Sequence, residues 1–172
     1  MDGELQRLLH WAQNTGHDTL TSVTFEICLH RKAIDNDLIL HVSEYGPNKQ
    51  GMKRKKAQNR EEIQLGMKEG NTCCSKTATK DGYDEDELME WRDDDTMSYW
   101  YPYCDDFPNI DGIVKLKSSS PHKKSRVAFL HLTVGHKHAV DEKQLELPEK
   151  LFTDGGFEPP IYVILCPDFR VK

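Results

Sequence analysis

Apolar residues recur along this chain with two different spacings, and each predicts a different kind of element. Near the start, Leu5, Leu8, Leu9 and Ala12 fall at i, i+3, i+4 and i+7, the stripe of an amphipathic helix, with Trp11 beside it. Asp2 is placed to cap this helix and Gly16 to end it. A helix this short is marginal alone, so its leucine face is expected to dock on a sheet.

From residue 22 the spacing changes to two. Val23, Phe25, Ile27 and Leu29 alternate with Ser22, Thr24, Glu26, Cys28 and His30, which predicts a half-buried strand over 22–30. Asp35-Asn36-Asp37 supplies a turn, and residues 38–45 read as the returning strand, pairing Leu29 with Leu40 and Ile27 with Val42. Cys28 and His41 would then face each other on the outer side. Further strands are expected at 113–117, 126–134 and 161–166. A helical turn is expected at 84–92, and a weak helical segment broken by Pro148 at 146–151. Five strands in hairpin order with marginal helices predict an α+β, mainly antiparallel β domain, sandwich-like or a single sheet, with a short N-terminal helix.

Between the second strand and residue 82 the periodicity disappears. Residues 46–82 gather Gly, Lys, Asn and Thr and read as a long charged, flexible insertion within a single domain of residues 1–172. Ile63, Leu65 and Met67 are too few to anchor an element by pattern. Length supports one domain with a core of its own, while 37% apolar and 30% charged residues keep that core modest.

Charge then divides the middle of the chain in two. Residues 46–80 carry nine Lys/Arg against three Glu, and residues 81–111 carry twelve Asp/Glu against one Arg. Lys53-Arg54-Lys55-Lys56 concentrates positive potential, suited to an import receptor, to nucleic-acid phosphates or to an acidic partner. The acidic segment 83–111 holds Leu88, Met89, Trp91, Trp100 and Tyr103, and aromatics in acidic chain mark a partner-binding segment. Trp91, Trp100 and Tyr103 are the candidate contact residues.

Candidate chemistry changes the picture less. Five cysteines, with no basic or apolar leader at the N-terminus, read as reduced thiols in a nuclear or cytoplasmic compartment, and the longest apolar run, residues 161–166, is far too short to span a bilayer. His136 and His138 would share one face of a strand, a weak candidate metal pair, and no cofactor is expected. Ser120-Pro121-His122-Lys123 has the form of a proline-directed phosphorylation site at Ser120.

Two tripeptides carry the alternative enzyme reading. His41-Val42-Ser43 and His131-Leu132-Thr133 both have the form His-x-Ser/Thr and both follow apolar strand runs. The pair resembles the two motifs of the 2H phosphoesterases. That resemblance implies His41 and His131 on either side of a scissile phosphate, one as base and one as acid. Ser43 and Thr133 would hold its oxygens, and the substrates would be cyclic phosphates or RNA ends. The preferred expectation is a non-enzymatic protein-binding or adaptor module. Phosphoesterase activity is the alternative, and nucleic-acid contact through the basic loop is a third reading.

Overall fold

A computed structural model describes residues 3–43, 62–78, 82–103, 107, 109–118, 125–133 and 142–167. Two helices open the chain, α1 (Gly3–Thr15) and α2 (Asp18–Ile34). A two-stranded antiparallel ribbon follows, β1 (Ile39–Ser43) with β2 (Glu62–Gly66). The rest is β3 (Asn71–Ser75), α3 (Glu85–Asp93), β4 (Met97–Pro102), β5 (Gly112–Lys115), β6 (Val127–Leu132), α4 (Glu142–Asp154) and β7 (Ile161–Leu165). The class is α+β as expected, built on a single five-stranded sheet in the order β3-β4-β5-β6-β7.

That sheet is mixed rather than a run of hairpins. β4, β5 and β6 form an antiparallel meander, while β3 lies parallel to β4 and β7 parallel to β6. Parallel neighbours need a crossover, and α3 and α4 supply the two. β3, β4, β6 and β7 therefore all run one way and end at one edge of the sheet, the edge at which β5 begins.

The largest correction concerns 22–30, which is helix and not strand. Its buried residues are Thr21, Thr24, Cys28, Leu29 and Ala33, a helical spacing carried mostly by small side chains. The conspicuous Val23 and Ile27 lie four apart on the outside. β1 accordingly pairs with β2, setting Leu40 against Leu65 and His41 against Gln64, and the expected pairings of Leu29 with Leu40 and Cys28 with His41 do not form. Residues 62–66 and 71–75, inside the expected insertion, are strands. Leu65 and Met67 suffice as anchors because Met67 continues the ribbon into a bridge with Leu116 at the end of β5. α4 also runs through Pro148 rather than breaking there, held by Leu151 and Phe152 beneath it.

Period two along the strands builds two cores. Tyr99, Val114, Ala128, Leu130 and Val163 face α2 and the ribbon, packing on Leu29, Ala33, Leu40 and Met67. Trp100, Ile113, Val127 and Phe129 face α3 and α4, packing on Leu88, Trp91, Leu151 and Phe152. α1 packs on α2 rather than on the sheet, with Ala12 fully buried in their seam.

Glu87 fixes the turn from β3 into α3. Its carboxylate accepts from Ser75 Oγ at 2.6 Å, from Lys76 N at 3.1 Å and from Thr77 Oγ1. Burial pushes its pKa up, but these donors outweigh burial and hold it below the usual carboxylate value. A depressed carboxylate stabilises the fold above its unfolded pKa and loses that contribution as pH falls through the folded one. Glu87→Ala is expected to cost about 1 kcal/mol, a value discounted for partial exposure, and to flatten the loss of stability on acidification. Urea midpoints measured at pH 7 and pH 4 for both proteins check this.

Candidate functional site

The helical hairpin α1–α2 carries an apolar outer surface. On α2, Val23 and Ile27 sit one turn apart and Ile34 two turns further on the same line, 48%, 46% and 50% exposed. Trp11 and Leu8 on α1 and Ile39 at the start of β1 are also about half exposed. The corner between the helices is made by Thr15-Gly16-His17. Gly16 takes φ +70°, and His17 N donates to Ala12 O, so the chain reverses within two residues. An open groove of about 650 Å³ lies at this corner, lined by Trp11, His17, Asp18, Thr19, Leu20 and Val23. The Trp11 indole stacks on the ring of His17, which also lines the groove, with centroids 5.5 Å apart.

Behind that surface, α2 is tied to the sheet by a polar chain. Burial, with Glu26 and Asp111 adding to it, pushes the Tyr99 phenol far up, so its hydroxyl keeps its proton. It donates to His30 Nδ1 at 2.9 Å, and His30 Nε2 in turn donates to Glu26 Oε1 at 3.3 Å. The ring of Tyr101 lies 4.4 Å from that of His30. Glycine is required at 112, because a Cβ there would stand 2.6 Å from the Tyr99 hydroxyl.

A second cluster sits at the edge where four strands end. Asp111, just before β5, accepts from Leu132 N at 2.6 Å, and its Oδ2 lies 3.0 Å from His131 Nδ1. The Tyr162 ring lies parallel to the His131 ring at 6.2 Å and its hydroxyl donates to Asn109 O at 2.9 Å. Asn109 in turn bonds Gln144 in the first turn of α4. His131 and Asp111 are 15% and 25% exposed, shielded but reachable by solvent.

The residues expected from sequence are distributed differently. Trp91 and Trp100 are core residues, 3% and 1% exposed, and offer no surface to a partner. Trp91 packs edge-on against Phe152 and covers Lys115, and Trp100 packs against Phe107. Of that trio only Tyr103 is exposed, at 80%. His41 is exposed on β1, where its neighbours Leu40 and Val42 face the core beneath the ribbon, whereas His131 points to the α3–α4 side of the sheet. The sheet and one core separate them, so they do not flank a shared phosphate. Ser43 closes β1, and Thr133 is buried just past β6. Lys53, Arg54, Lys55, Lys56, Ser120, His136 and His138 lie outside the described residues.

Among the described residues no three metal-ligating side chains gather at one point. No helix among them is long and apolar enough to cross a membrane. The hairpin surface was hidden in the sequence because a strand reading of 22–30 puts Val23 and Ile27 inside. Their separation of four was the signal. Asp111 gave none, since its partner lies twenty residues away on the next strand. No protein-family model, no curated protein and no solved structure matches this chain.

Proposed function

We propose that this chain is a protein-binding module acting inside the cell, in nucleus or cytoplasm, and that it takes up an apolar segment of its partner along the α1–α2 hairpin. The observation that supports this is the line Val23, Ile27 and Ile34 beside Trp11, large apolar side chains about half exposed on neighbouring helices. Contiguous apolar surface on a folded chain is costly to leave in water and marks interaction sites. A Trp at the rim of a groove is the residue type that dominates binding energy in such sites. The site moves from the acidic aromatic segment to the hairpin because the tryptophans of that segment serve the core.

The proposal predicts loss of binding without loss of fold. Trp11→Ala is expected to weaken a stoichiometric partner by about 30-fold or more, equivalent to ~2 kcal/mol. Val23→Ser with Ile27→Ser is expected to abolish capture, with the urea midpoint moving little because both side chains are already solvated. Quantitative affinity capture of wild type and variants, followed by titration with the purified partner, checks both. A folded Val23→Ser, Ile27→Ser, Trp11→Ala triple variant that binds like wild type would remove the site.

A further inference from the structure

The outer face of α2 and the corner before it have a spacing of their own. Gly16, Leu20, Val23, Ile27, His30 and Ile34 alternate steps of four and three, the pattern of a seam between two helices. Val23, Ile27 and Ile34 are about half exposed, and Leu20 and His30 are half-buried. His30 brings no unpaired polar atom to this line, since its Nδ1 accepts from Tyr99 and its Nε2 donates to Glu26.

The order of residues along the line says which helix fits it. Reversed end to end about position 25, the line falls on itself: Leu20 meets His30, Val23 meets Ile27, and Ile34 meets Gly16. Gly16 and Ile34 stand equally far from that centre, about 13.5 Å along a helix axis. A Cβ added at Gly16 would meet nothing within 4 Å, and the space there belongs to the groove beside Trp11, His17 and Leu20. A large apolar side chain thus falls where the same line, reversed, leaves a hole. Charge reverses with it. The first turn of α2 carries Asp18 and its last turn Arg31 and Lys32, so antiparallel copies bring an acidic end to a basic one and oppose their dipoles. Arg31 reaches Asp35 of its own helix only at 3.7 Å, an exposed pair loose enough to leave it free to turn.

We infer that the partner taken up by the hairpin is a second copy of this chain, with the two α2 helices antiparallel about a two-fold axis at the level of Phe25. The inference rests on the hairpin reading above and names its occupant. Val23 packs on Ile27 of the second copy, Ile27 on its Val23, and Ile34 enters its groove against Trp11. The seam spans one helix of 17 residues, so the dimer is small and reversible rather than obligate.

Sedimentation equilibrium of the purified full chain tests this, with circular dichroism to establish that each variant is folded. Wild type is expected to pass from monomer to dimer as concentration rises. Val23→Lys and Ile27→Asp are each expected to weaken self-association about 30-fold or more, because either buries an unpaired charge twice in the seam. Mixed in equal amounts, the two variants are expected to recover a heterodimer within about threefold of the wild-type affinity. In that pair the two new charges face each other, while the remaining Ile27 meets the remaining Val23. Parallel helices, or any other register, would hold the charges apart and give no recovery. Ile34→Ala is expected to weaken the dimer about tenfold by emptying the groove. A wild type that stays monomeric to about 1 mM overturns the inference and leaves the hairpin to the capture experiment, with another protein as its occupant. A dimer that persists in both charged variants, or a mixture that stays monomeric, also overturns it. The hairpin reading itself fails separately, through a triple variant that captures its partner as wild type does.

Discussion

Trp100→Ala will destabilise this protein by about 3–5 kcal/mol, the range for emptying a large aromatic site in a core. Trp100 lies on β4 inside the meander, 1% exposed, and packs with Phe107 and Ile113 on the α3–α4 side. Its neighbours come from different elements and cannot all collapse into the space, so the cavity term adds to the lost burial. Trp100→Phe is expected to cost roughly 1–2 kcal/mol, because an aromatic ring is kept and the buried indole N–H has no hydrogen-bond partner among the described residues. Urea unfolding followed by far-UV circular dichroism measures both, with a lowered midpoint at constant slope. The pair also separates core from surface. A folded Trp100→Phe protein is expected to capture its partner as wild type does, which a contact role for Trp100 would forbid.

Lys115 governs the second large effect. Its side chain crosses the core below Trp91, 4% exposed. Nζ donates to Trp91 O at 2.9 Å and to Asp94 O at 2.7 Å, and the ammonium lies 4.6 Å from the Trp91 ring centre. It thus closes the C-terminal end of α3, where carbonyls lack helical partners and the dipole favours a cation. Lys115→Ala leaves those carbonyls unsatisfied and is expected to cost about 2–3 kcal/mol.

The same residue sets an alkaline pH dependence. Burial lowers the Lys115 pKa to about 8, helped by Lys68 and opposed in part by Asp95, Asp94 and Asp93. Above pH 8 the native state has released this proton while the unfolded chain, with its ordinary lysine value of 10.5, still holds it. The unfolded state then binds more protons, so stability rises with pH through that window. Tyrosines end the rise. Burial holds Tyr83 and Tyr162 up at about 12 and Tyr99 higher still, so near pH 10 the unfolded chain loses phenol protons that the native state keeps. The urea midpoint is expected to climb from pH 8 and turn over near pH 10, and Lys115→Met is expected to remove the climb. A flat wild-type profile between pH 8 and pH 10 would exclude this role for Lys115.

Three strands of the central sheet, β5, β6 and β7, were legible because each is a short apolar run with strand residues packed on both faces, whereas β3 fell within the expected insertion and β4 within the acidic aromatic segment. α3 was legible from Leu88 and Trp91 at i, i+3 behind an acidic first turn, and Asp84 caps it through Asp86 N. α2 was not, because its inner face is Thr21, Thr24, Cys28 and Ala33, which register as polar or small, while its outer face displays Val and Ile. A sequence scale then sees the helix inside out. The parallel placement of β3 and β7 was equally invisible, since edge and centre strands share one pattern and only the crossover helices reveal direction. The candidate sites followed the same division. His131 stands out in the sequence by its tripeptide, but Asp111, whose carboxylate lies beside its ring, precedes a different strand. Trp11 lies beside a leucine stripe in the sequence pattern, and in the structure that stripe packs less deeply than Ala12.

The small residues where α1 meets α2 set the form of the hairpin from behind. The side chains that these two packed helices bury include Ala12, Thr21, Thr24 and Cys28, and small side chains of this kind allow a close approach, so the spacing of the outer side chains depends on contacts that no visitor touches. A single added ethyl group in that seam would act as a wedge, and the groove would widen while keeping every residue that lines it. The reach of Trp11 toward Val23 is in this sense a caliper, adjusted by a screw on the inside.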